Sequence, residues 1–222
     1  HFCQEESGMD LAEGAAQEAL ERSGLKPEDI GVCLVAPFTP DFASPSMACM
    51  LQQRLGLSED TICFDLNAAC AGFLYGTKTA HALLADAPRP YAIVVGAEVI
   101  SRVLDHTDRN TCVLFGDGAG AVVLHRGEEA GLLSCYVDCV TDTDHVLTCH
   151  YPRKDTPFCK AGAPHNTDLY MKGSAVMRFA VKALDKAVRA AAAEAGVAVE
   201  DIAYFVPHQA NLRIIQSASK LM

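Results

Sequence analysis

The sequence lacks an apolar run long enough to cross a bilayer, since the longest, Tyr91 to Ile100, is about half of the roughly 20 residues that a spanning helix needs. Basic residues are also few: 18 Lys and Arg stand against 28 Asp and Glu, for a formal net charge of −10. Nucleic acids and anionic bilayers attract broad basic surfaces, so the net charge argues against non-specific binding to either. No basic segment followed by an apolar one opens the chain, as a secretory signal would. We therefore expect a soluble, cytoplasmic protein with no nucleic-acid or membrane partner.

The cysteines lack the spacing of a metal module. The chain has ten of them but no compact Cys-x-x-Cys pair, the usual mark of a zinc site. Several, such as Cys33, Cys63 and Cys112, fall in apolar strand-like runs, where a thiol behaves as a small buried hydrophobe. One alternative is a zinc module in a loop, built from Cys135, Cys139, Cys149, His150, Cys159 and His165. We predict free thiols and no bound metal.

The glycine-rich segment "FGDGAGAVVL", from Phe115 to Leu124, lacks the surroundings of a nucleotide-binding loop. No Lys-Ser or Lys-Thr pair follows it, and the residues after the glycines are typical of a strand rather than a helix. We interpret it as a tight turn between two strands.

The first half of the chain alternates between helix and strand patterns, beginning with a capping box at Ser7 and Asp10. The predicted elements are a helix from Ser7 to Gly24, a strand over 31–36, a helix from Ser44-Pro45 to Leu55, a strand over 61–66, a helix over 70–85 and a strand over 91–96. This alternation predicts an α/β fold, with a parallel sheet and helices packed on it.

The rest of the chain is less regular. Three strand-like runs follow, "TCVLF", "AVVLHR" and "GLLSCYV", and then a polar stretch over 140–168 that predicts a long surface loop. A helix from Ser174 to Ala195 and a strand "IAYFVP" complete the pattern.

One unit of sequence occurs twice. "SGLKPEDIGVCLVA", from Ser23, aligns without gaps with "AGVAVEDIAYFVPH", from Ala195, and each copy follows a helix with small apolar residues in register. We interpret this as a duplicated α/β half. The predicted domains are 1–150, the half that carries the nucleophile, and 151–222, the start of the second half. Both ends of the chain look cut, so we expect a fragment whose second half is incomplete.

Two residues occupy positions in the predicted fold that favour a catalytic role. Cys70 stands at a strand-to-helix turn, where a helix N-terminus stabilises a thiolate and free amides can hold an oxyanion. The plain alternative is a packed core cysteine. His208 follows a strand of the second repeat copy, at the edge where open α/β sheets place their sites; its plain alternative is a structural histidine.

Three motifs, "NAACAGFLYG", "DHTDRNTCVLFGDGAGAVVL" and "VPHQANLRII", occur in this order, and together they resemble β-ketoacyl-acyl-carrier-protein synthase III, the initiating condensing enzyme of fatty-acid synthesis. The resemblance runs through nearly the whole chain. It implies a thiolase-like fold of duplicated α/β halves in αβαβα layers, with the second half incomplete here. It also implies the condensation of acyl-CoA with malonyl-acyl-carrier-protein through an acyl-cysteine.

The resemblance assigns roles to individual residues. Cys70 matches the nucleophile, and His208 matches the histidine that stabilises the oxygen of the decarboxylating malonyl thioester. Arg109 matches an arginine that contacts CoA. The basic residues that match those docking the acidic carrier protein are Arg213, Arg178 and Lys220. No cofactor is implied, because the CoA thioester is a substrate.

Other family features are missing or altered. The asparagine that assists the histidine, and a glycine-rich loop, would lie beyond Met222, and Asn211 belongs to a different motif and does not replace that asparagine. The family is homodimeric, and a residue near Ser44 shapes the acyl pocket across the dimer interface. Because Ser44 is small, we expect the intact enzyme to accept primers larger than acetyl.

Other classes of protein stay open. One is another thiolase-fold synthase, either a starter-unit synthase of secondary metabolism or a 3-hydroxy-3-methylglutaryl-CoA synthase. The latter usually has an acidic residue near the nucleophile, and the sequence offers no obvious match. The other class is a non-catalytic binding relative.

Overall fold

The computed structural model describes residues 2–128, 131–152, 155–158 and 167–221. The chain divides into two compact units. The first comprises His1–Ile100 and Gly116–Gly131, and the second comprises Ser101–Phe115 and Leu132–Met222. None of the helices in these described ranges is long and apolar enough to span a membrane.

The first unit is built on a four-stranded sheet. Its strands are β1 (Ile30–Val35), β2 (Ile62–Asp65), β3 (Tyr91–Val99) and β4 (Asp117–His125), in the order β2-β1-β3-β4. β1 pairs in parallel with β2 and β3, which confirms the predicted parallel sheet, and β4 adds an antiparallel edge. The carboxyl ends of β1, β2 and β3 therefore lie at one edge of the sheet, where α/β proteins place their sites.

Helices cover both faces of this sheet, and they are α1 (Gly8–Ser23), α2 (Met47–Leu55) and α3 (Gly72–Leu83). One apolar cluster joins α1 and α2 to the sheet and includes Met9, Met47, Leu51, Cys33 and Ile93. A second cluster, on the other face, includes Val32, Leu34, Ala80, Ala92 and Val94. Every residue of β1 is buried, because the strand is covered on both sides.

Local sequence signals set the starts of α1 and α2, although the predicted start of α2 needs a correction. The Ser7–Asp10 capping box of α1 is confirmed, and Gly24 ends the helix in the left-handed conformation. α2 does not begin at Ser44-Pro45, a cis peptide. It begins after Ser46, whose hydroxyl accepts a hydrogen bond from the Cys49 amide. The predicted start was wrong because Ser46 supplies the cap one residue after the proline.

The glycine-rich segment lies inside a strand. Gly118 and Gly120 belong to β4 and pair with Glu98 and Gly96 of β3. The predicted tight turn at these glycines was therefore wrong. The two strands pair continuously from Tyr91–His125 to Val99–Asp117, so the glycines continue the ladder instead of reversing the chain.

The second unit contains two helices, α4 (Gly173–Ala195) and α5 (Leu212–Ser219). α4 confirms the predicted helix. Two short antiparallel strands, β5 (Leu147–Thr148) and β6 (Tyr170–Met171), pair in the same unit. β5 lies inside the stretch predicted as a loop without regular structure, and that prediction needs this correction.

Three predicted strands do not form. "TCVLF" begins in a turn, because the Thr111 and Cys112 amides donate to the Asp108 carbonyl. "GLLSCYV" (131–137) and "IAYFVP" (202–207) have no strand assignment. Within the described residues neither segment has a ladder partner, and an apolar run without one leaves its backbone groups to solvent. Tyr204 is accordingly 88% exposed.

The repeat is reproduced in backbone conformation. Gly24 ends α1 with φ 68°, and Gly196 ends α4 with φ 67°. A short 3-10 turn follows each glycine, Pro27–Asp29 in the first copy and Val199–Asp201 in the second, and the next residue of each copy is extended. The two copies therefore have the same backbone conformation as far as Ile30 and Ile202. Beyond that point β1 pairs within the sheet, whereas the segment over 202–207 has no strand assignment.

Candidate active site

Cys70 lies at the carboxyl-end edge of the first unit's sheet. After β2, the Leu66 amide donates to the Val35 carbonyl at 2.9 Å, and a short 3-10 turn, Ala69–Ala71, leads into α3. Ala69 has φ 45°, in the left-handed region that residues other than glycine rarely adopt, and its amide donates to Asn67 Oδ1 at 3.0 Å. The turn presents the Cys70 side chain at the surface, where it is exposed.

The ionisation of Cys70 differs from the expectation. A helix N-terminus was expected to stabilise the thiolate, but α3 begins at Gly72, after the 3-10 turn that holds Cys70. Although the side chain reaches solvent, burial of part of its surroundings raises the pKa of the Cys70 thiol, and the Glu98 carboxylate raises it further. Desolvation and a like charge both disfavour a thiolate, and they outweigh a backbone hydrogen bond at Cys70 that lowers the pKa.

Glu98 is the residue that sequence reasoning missed. Its Oε1 accepts a hydrogen bond from the Phe38 amide at 2.7 Å. Its Oε2 accepts one from the Thr39 amide at 2.9 Å and one from the Thr39 hydroxyl at 2.7 Å. Burial raises the pKa of Glu98, and these hydrogen bonds oppose the rise. The signal was available: Glu98 is a lone charge near the end of an apolar strand, at the edge where Cys70 lies.

Replacing Glu98 with glutamine is expected to speed alkylation of Cys70. Loss of the carboxylate removes a like charge and lowers the pKa of the thiol, so more thiolate is present at any pH below that pKa. We expect the iodoacetamide rate at Cys70 near pH 7.5 to rise severalfold over that of the unsubstituted chain. The rate is followed by mass spectrometry of the peptide that contains Cys70.

The matched control is Glu59→Gln, which removes one negative charge from an exposed residue before β2. Equal rates in E98Q and E59Q would show that Glu98 does not act on the thiol.

Glu98 also fixes the loop that contains Ser44. The Thr39 hydroxyl accepts a hydrogen bond from the Val99 amide at 2.9 Å, so this loop is tied twice to the end of β3. Asp41 holds the same loop to α1 by accepting from the Gly8 and Met9 amides. Ser44 itself is exposed.

The other predicted site residues belong to the second unit. His208 is exposed and lies between the 202–207 segment and α5. The expectation that a buried strand precedes it was wrong, because that segment is neither a strand nor buried. Asn211 is the N-cap of α5, and its Oδ1 accepts from the Arg213 amide at 2.8 Å. Asn211 stays outside the predicted catalytic set.

The four predicted basic residues are all exposed, and they are Arg109, Arg178, Arg213 and Lys220. Arg109 lies in a turn over 105–112 that is organised by Asp105 and Asp108, whose carboxylates accept backbone hydrogen bonds. Arg213 lies on α5 and Lys220 follows its last residue, while Arg178 lies on α4.

A metal module finds no support in the part of the chain that the structure describes. There, no group of three or more His, Cys, Asp or Glu side chains could hold a metal ion. Cys135, Cys139 and Cys149 are not in disulfide bonds. Two members of the hypothetical module, Cys159 and His165, lie outside the described residues.

Two regions of the chain match family models built from known proteins. Residues 64–142 match the family model for 3-oxoacyl-[acyl-carrier-protein (ACP)] synthase III, and residues 192–222 match the model for its C-terminal part. The chain is 44% identical over 215 residues to a beta-ketoacyl-[acyl-carrier-protein] synthase III of Clostridium beijerinckii. That alignment covers 97% of this chain and 66% of the relative, so the chain spans about two thirds of the relative's length.

Two solved structures illustrate the likeness. The β-ketoacyl-[acyl-carrier-protein] synthase III of Thermus thermophilus is 37% identical with a TM-score of 0.88, and the match covers 99% of this chain and 67% of that one. The priming β-ketosynthase of the R1128 polyketide pathway is 31% identical with a TM-score of 0.87, and the match covers 99% of this chain and 65% of that one.

Proposed function

The chain belongs to the β-ketoacyl-acyl-carrier-protein synthase III family, and from that premise we propose that it condenses an acyl-CoA with malonyl-acyl-carrier-protein. The products are β-ketoacyl-carrier protein, CO2 and CoA. The expected thiolase-like α/β fold is confirmed by the solved relatives. The observation that carries the proposal is the exposed Cys70 thiol, held on a strained turn at the carboxyl-end edge of a parallel sheet.

The first step is acyl transfer. The Cys70 sulfur attacks the thioester carbonyl, the C–S bond to CoA breaks, and the acyl group stays on Cys70 while CoA leaves with the proton of the thiol. One thioester replaces another, so the step needs no outside energy source or cofactor. The raised pKa of Cys70 means that the thiol must lose its proton as the reaction proceeds. Arg109 is our proposed contact for CoA.

The second step forms the carbon–carbon bond. Loss of CO2 from the malonyl thioester leaves an enolate, and its negative oxygen needs a hydrogen-bond donor held in place. We assign this donation to His208. The enolate carbon then attacks the acyl-Cys70 carbonyl, which releases the Cys70 sulfur.

The test offers the acyl-enzyme two second substrates. The protein is incubated with acetyl-CoA and either malonyl-acyl-carrier-protein or malonyl-CoA, and CO2 release is measured. The proposal predicts release that depends on the carrier protein. Equal or greater release with malonyl-CoA would overturn the carrier-protein assignment and favour a synthase that uses free CoA esters.

The nearest alternative is a starter-unit synthase of secondary metabolism, which the likeness to a priming β-ketosynthase favours. Ser44, our proposed acyl-pocket residue, is small in either case, so acceptance of a larger primer does not by itself separate the two. The 3-hydroxy-3-methylglutaryl-CoA synthase alternative usually has an acidic residue near the nucleophile, and Glu98 is an acidic residue close to Cys70. Burial raises the pKa of Glu98, while hydrogen bonds from the Phe38 and Thr39 amides favour its carboxylate form, so this alternative stays open.

Reversing the charge of the three proposed docking residues is expected to weaken binding of the carrier protein. In a chain of net charge −10, an acidic partner needs a local basic surface. For the triple variant R178E, R213E and K220E we expect the Kd for the carrier protein to rise about tenfold to a hundredfold, because three cross-interface charge pairs change sign.

A variant with the same charge change is the control. It reverses Arg22, Lys26 and Lys78, three exposed cations of the first unit. Equal weakening in both triple variants, measured by titration at low salt, would show that only net charge matters and that there is no docking surface.

We also propose that the protein works as a homodimer in the cytoplasm. Support comes from the family resemblance, in which the loop around Ser44 contributes to the neighbouring subunit.

A further inference from the structure

Three cysteines meet between the sheet and α2, apart from Cys70. Cys33 of β1 and Cys63 of β2 are register partners on adjacent parallel strands. Adjacent strands lie about 4.7–4.9 Å apart, and in-register side chains point to the same face. A disulfide requires Cα atoms about 4.4–6.8 Å apart, so this pair meets the distance requirement without a change of register. Cys49, on α2, lies beside them, with its Sγ 3.7 Å from the Cys63 carbonyl oxygen.

The two thiols differ in accessibility and in protonation. Cys33 is fully buried, whereas Cys63 is half-buried. The neighbouring Cys33 lowers the pKa of the Cys63 thiol, whereas Cys63 and burial together raise the pKa of Cys33. Cys63 is therefore the member of the pair that reacts first, and Cys33 is its protonated partner.

We propose that Cys33 and Cys63 form a redox pair that a peroxide oxidises to a disulfide. The Cys63 sulfur attacks a peroxide oxygen, so that an S–O bond forms, the O–O bond breaks and water leaves. The Cys33 sulfur then attacks the resulting sulfenic sulfur, the S–S bond forms, the S–O bond breaks and a second water leaves. Two thiols lose two electrons and two protons, and hydrogen peroxide is reduced to two waters. This site does not depend on the proposed condensing activity.

The test is peptide mapping after mild oxidation. In a Cys49→Ser, Cys70→Ser variant, trypsin leaves Cys33 alone in residues 23–54 and Cys63 alone in residues 55–78. The folded chain is treated with hydrogen peroxide, free thiols are alkylated, and the digest is analysed by mass spectrometry. We expect the two peptides to be joined, with the loss of two hydrogen atoms. The yield should be at least about tenfold greater in folded than in urea-unfolded chain, because the strands hold the sulfurs together.

Two further measurements keep the test decisive. The unsubstituted chain is treated in the same way, and fragment ions identify the joined cysteines, so a folding defect of the double variant does not obscure the answer. Recovery of both peptides with free thiols, while the exposed Cys139 becomes oxidised, would overturn the proposal. So would equal joining in the folded and unfolded chain, or a joined pair other than Cys33 and Cys63.

Discussion

Replacing Cys70 with alanine is expected to abolish acyl transfer from acyl-CoA. The Cys70 sulfur is the atom that becomes acylated in the proposed first step, and alanine leaves no nucleophile at that position. We expect CoA release with acetyl-CoA alone to fall by about 10³-fold or more, to the background rate of thioester hydrolysis. Release is followed with a thiol reagent on samples freed of protein, so that the other cysteines do not contribute.

A second cysteine variant separates chemistry from folding. Cys139→Ala removes an exposed free thiol from the second unit and should release CoA like the unsubstituted chain. Circular dichroism of C70A should match that of the unsubstituted chain, because Cys70 is exposed and lies outside both apolar clusters. CoA release by C70A at the rate of C139A would contradict the assignment of the nucleophile.

Replacing Gly31 with alanine is expected to destabilise the first unit by about 2–4 kcal/mol, the cost of forcing a side chain into a packed site. A Cβ at this position would lie 2.6 Å from the Arg89 carbonyl oxygen and 2.9 Å from its nitrogen. These are backbone atoms that cannot rotate away. The register between β1 and β3 also shifts between Ile30 and Val32, so Gly31 occupies an irregularity where the chains approach closely.

The contacts of the Arg89 side chain explain why the backbone at Arg89 cannot move away from Gly31. Its Nε donates to the Ile30 carbonyl at 2.9 Å, and its Nη2 donates to the Thr61 hydroxyl at 3.1 Å. It also forms an ion pair with Asp60. Moving the backbone of Arg89 to accept a Cβ would break these contacts at the start of β1 and β2.

Gly14→Ala is the matched control. It makes the same chemical change on α1, where a Cβ meets nothing within 4 Å, and should stabilise the helix by about 0.5–1 kcal/mol. Urea unfolding measures both variants. A free energy of unfolding for G31A within about 0.5 kcal/mol of the unsubstituted chain would contradict the close approach described here, since that is the ordinary range of a harmless surface change.

The sequence predicted those parts of the fold that local signals specify. The Ser7–Asp10 capping box and Gly24 set the limits of α1, because a helix end is satisfied by its own neighbours. The continuous apolar run of β1 indicated a strand covered on both faces, and the structure confirms it. The repeat was also visible, since Gly24 and Gly196 carry the same backbone requirement.

Predictions that depend on distant partners failed. A strand needs a neighbour, and the apolar pattern of 202–207 resembles that of β1 but has no ladder partner in the part of the chain described. Gly118 and Gly120 suggested a turn, whereas pairing with β3 keeps them extended. Turn residues show a permitted conformation, and tertiary pairing decides whether it is adopted.

The candidate site was predicted only in part, because some of its properties depend on residues distant in sequence. Cys70 was predicted from its position between a strand and a helix. The raised pKa of its thiol was not predicted, because it depends in part on Glu98, which β3 brings to the same sheet edge. A lone carboxylate near the end of an apolar parallel strand is the signal to search for in similar sequences.

The most direct test of the central claim is to locate the acyl group. The unsubstituted chain is incubated with acetyl-CoA alone, quenched with acid and digested, and fragment ions of peptide 55–78 distinguish Cys70 from Cys63. The account predicts one acetyl group on Cys70, removed by hydroxylamine as a thioester is. A chain that stays unmodified, or one that is acetylated at another cysteine, would contradict it.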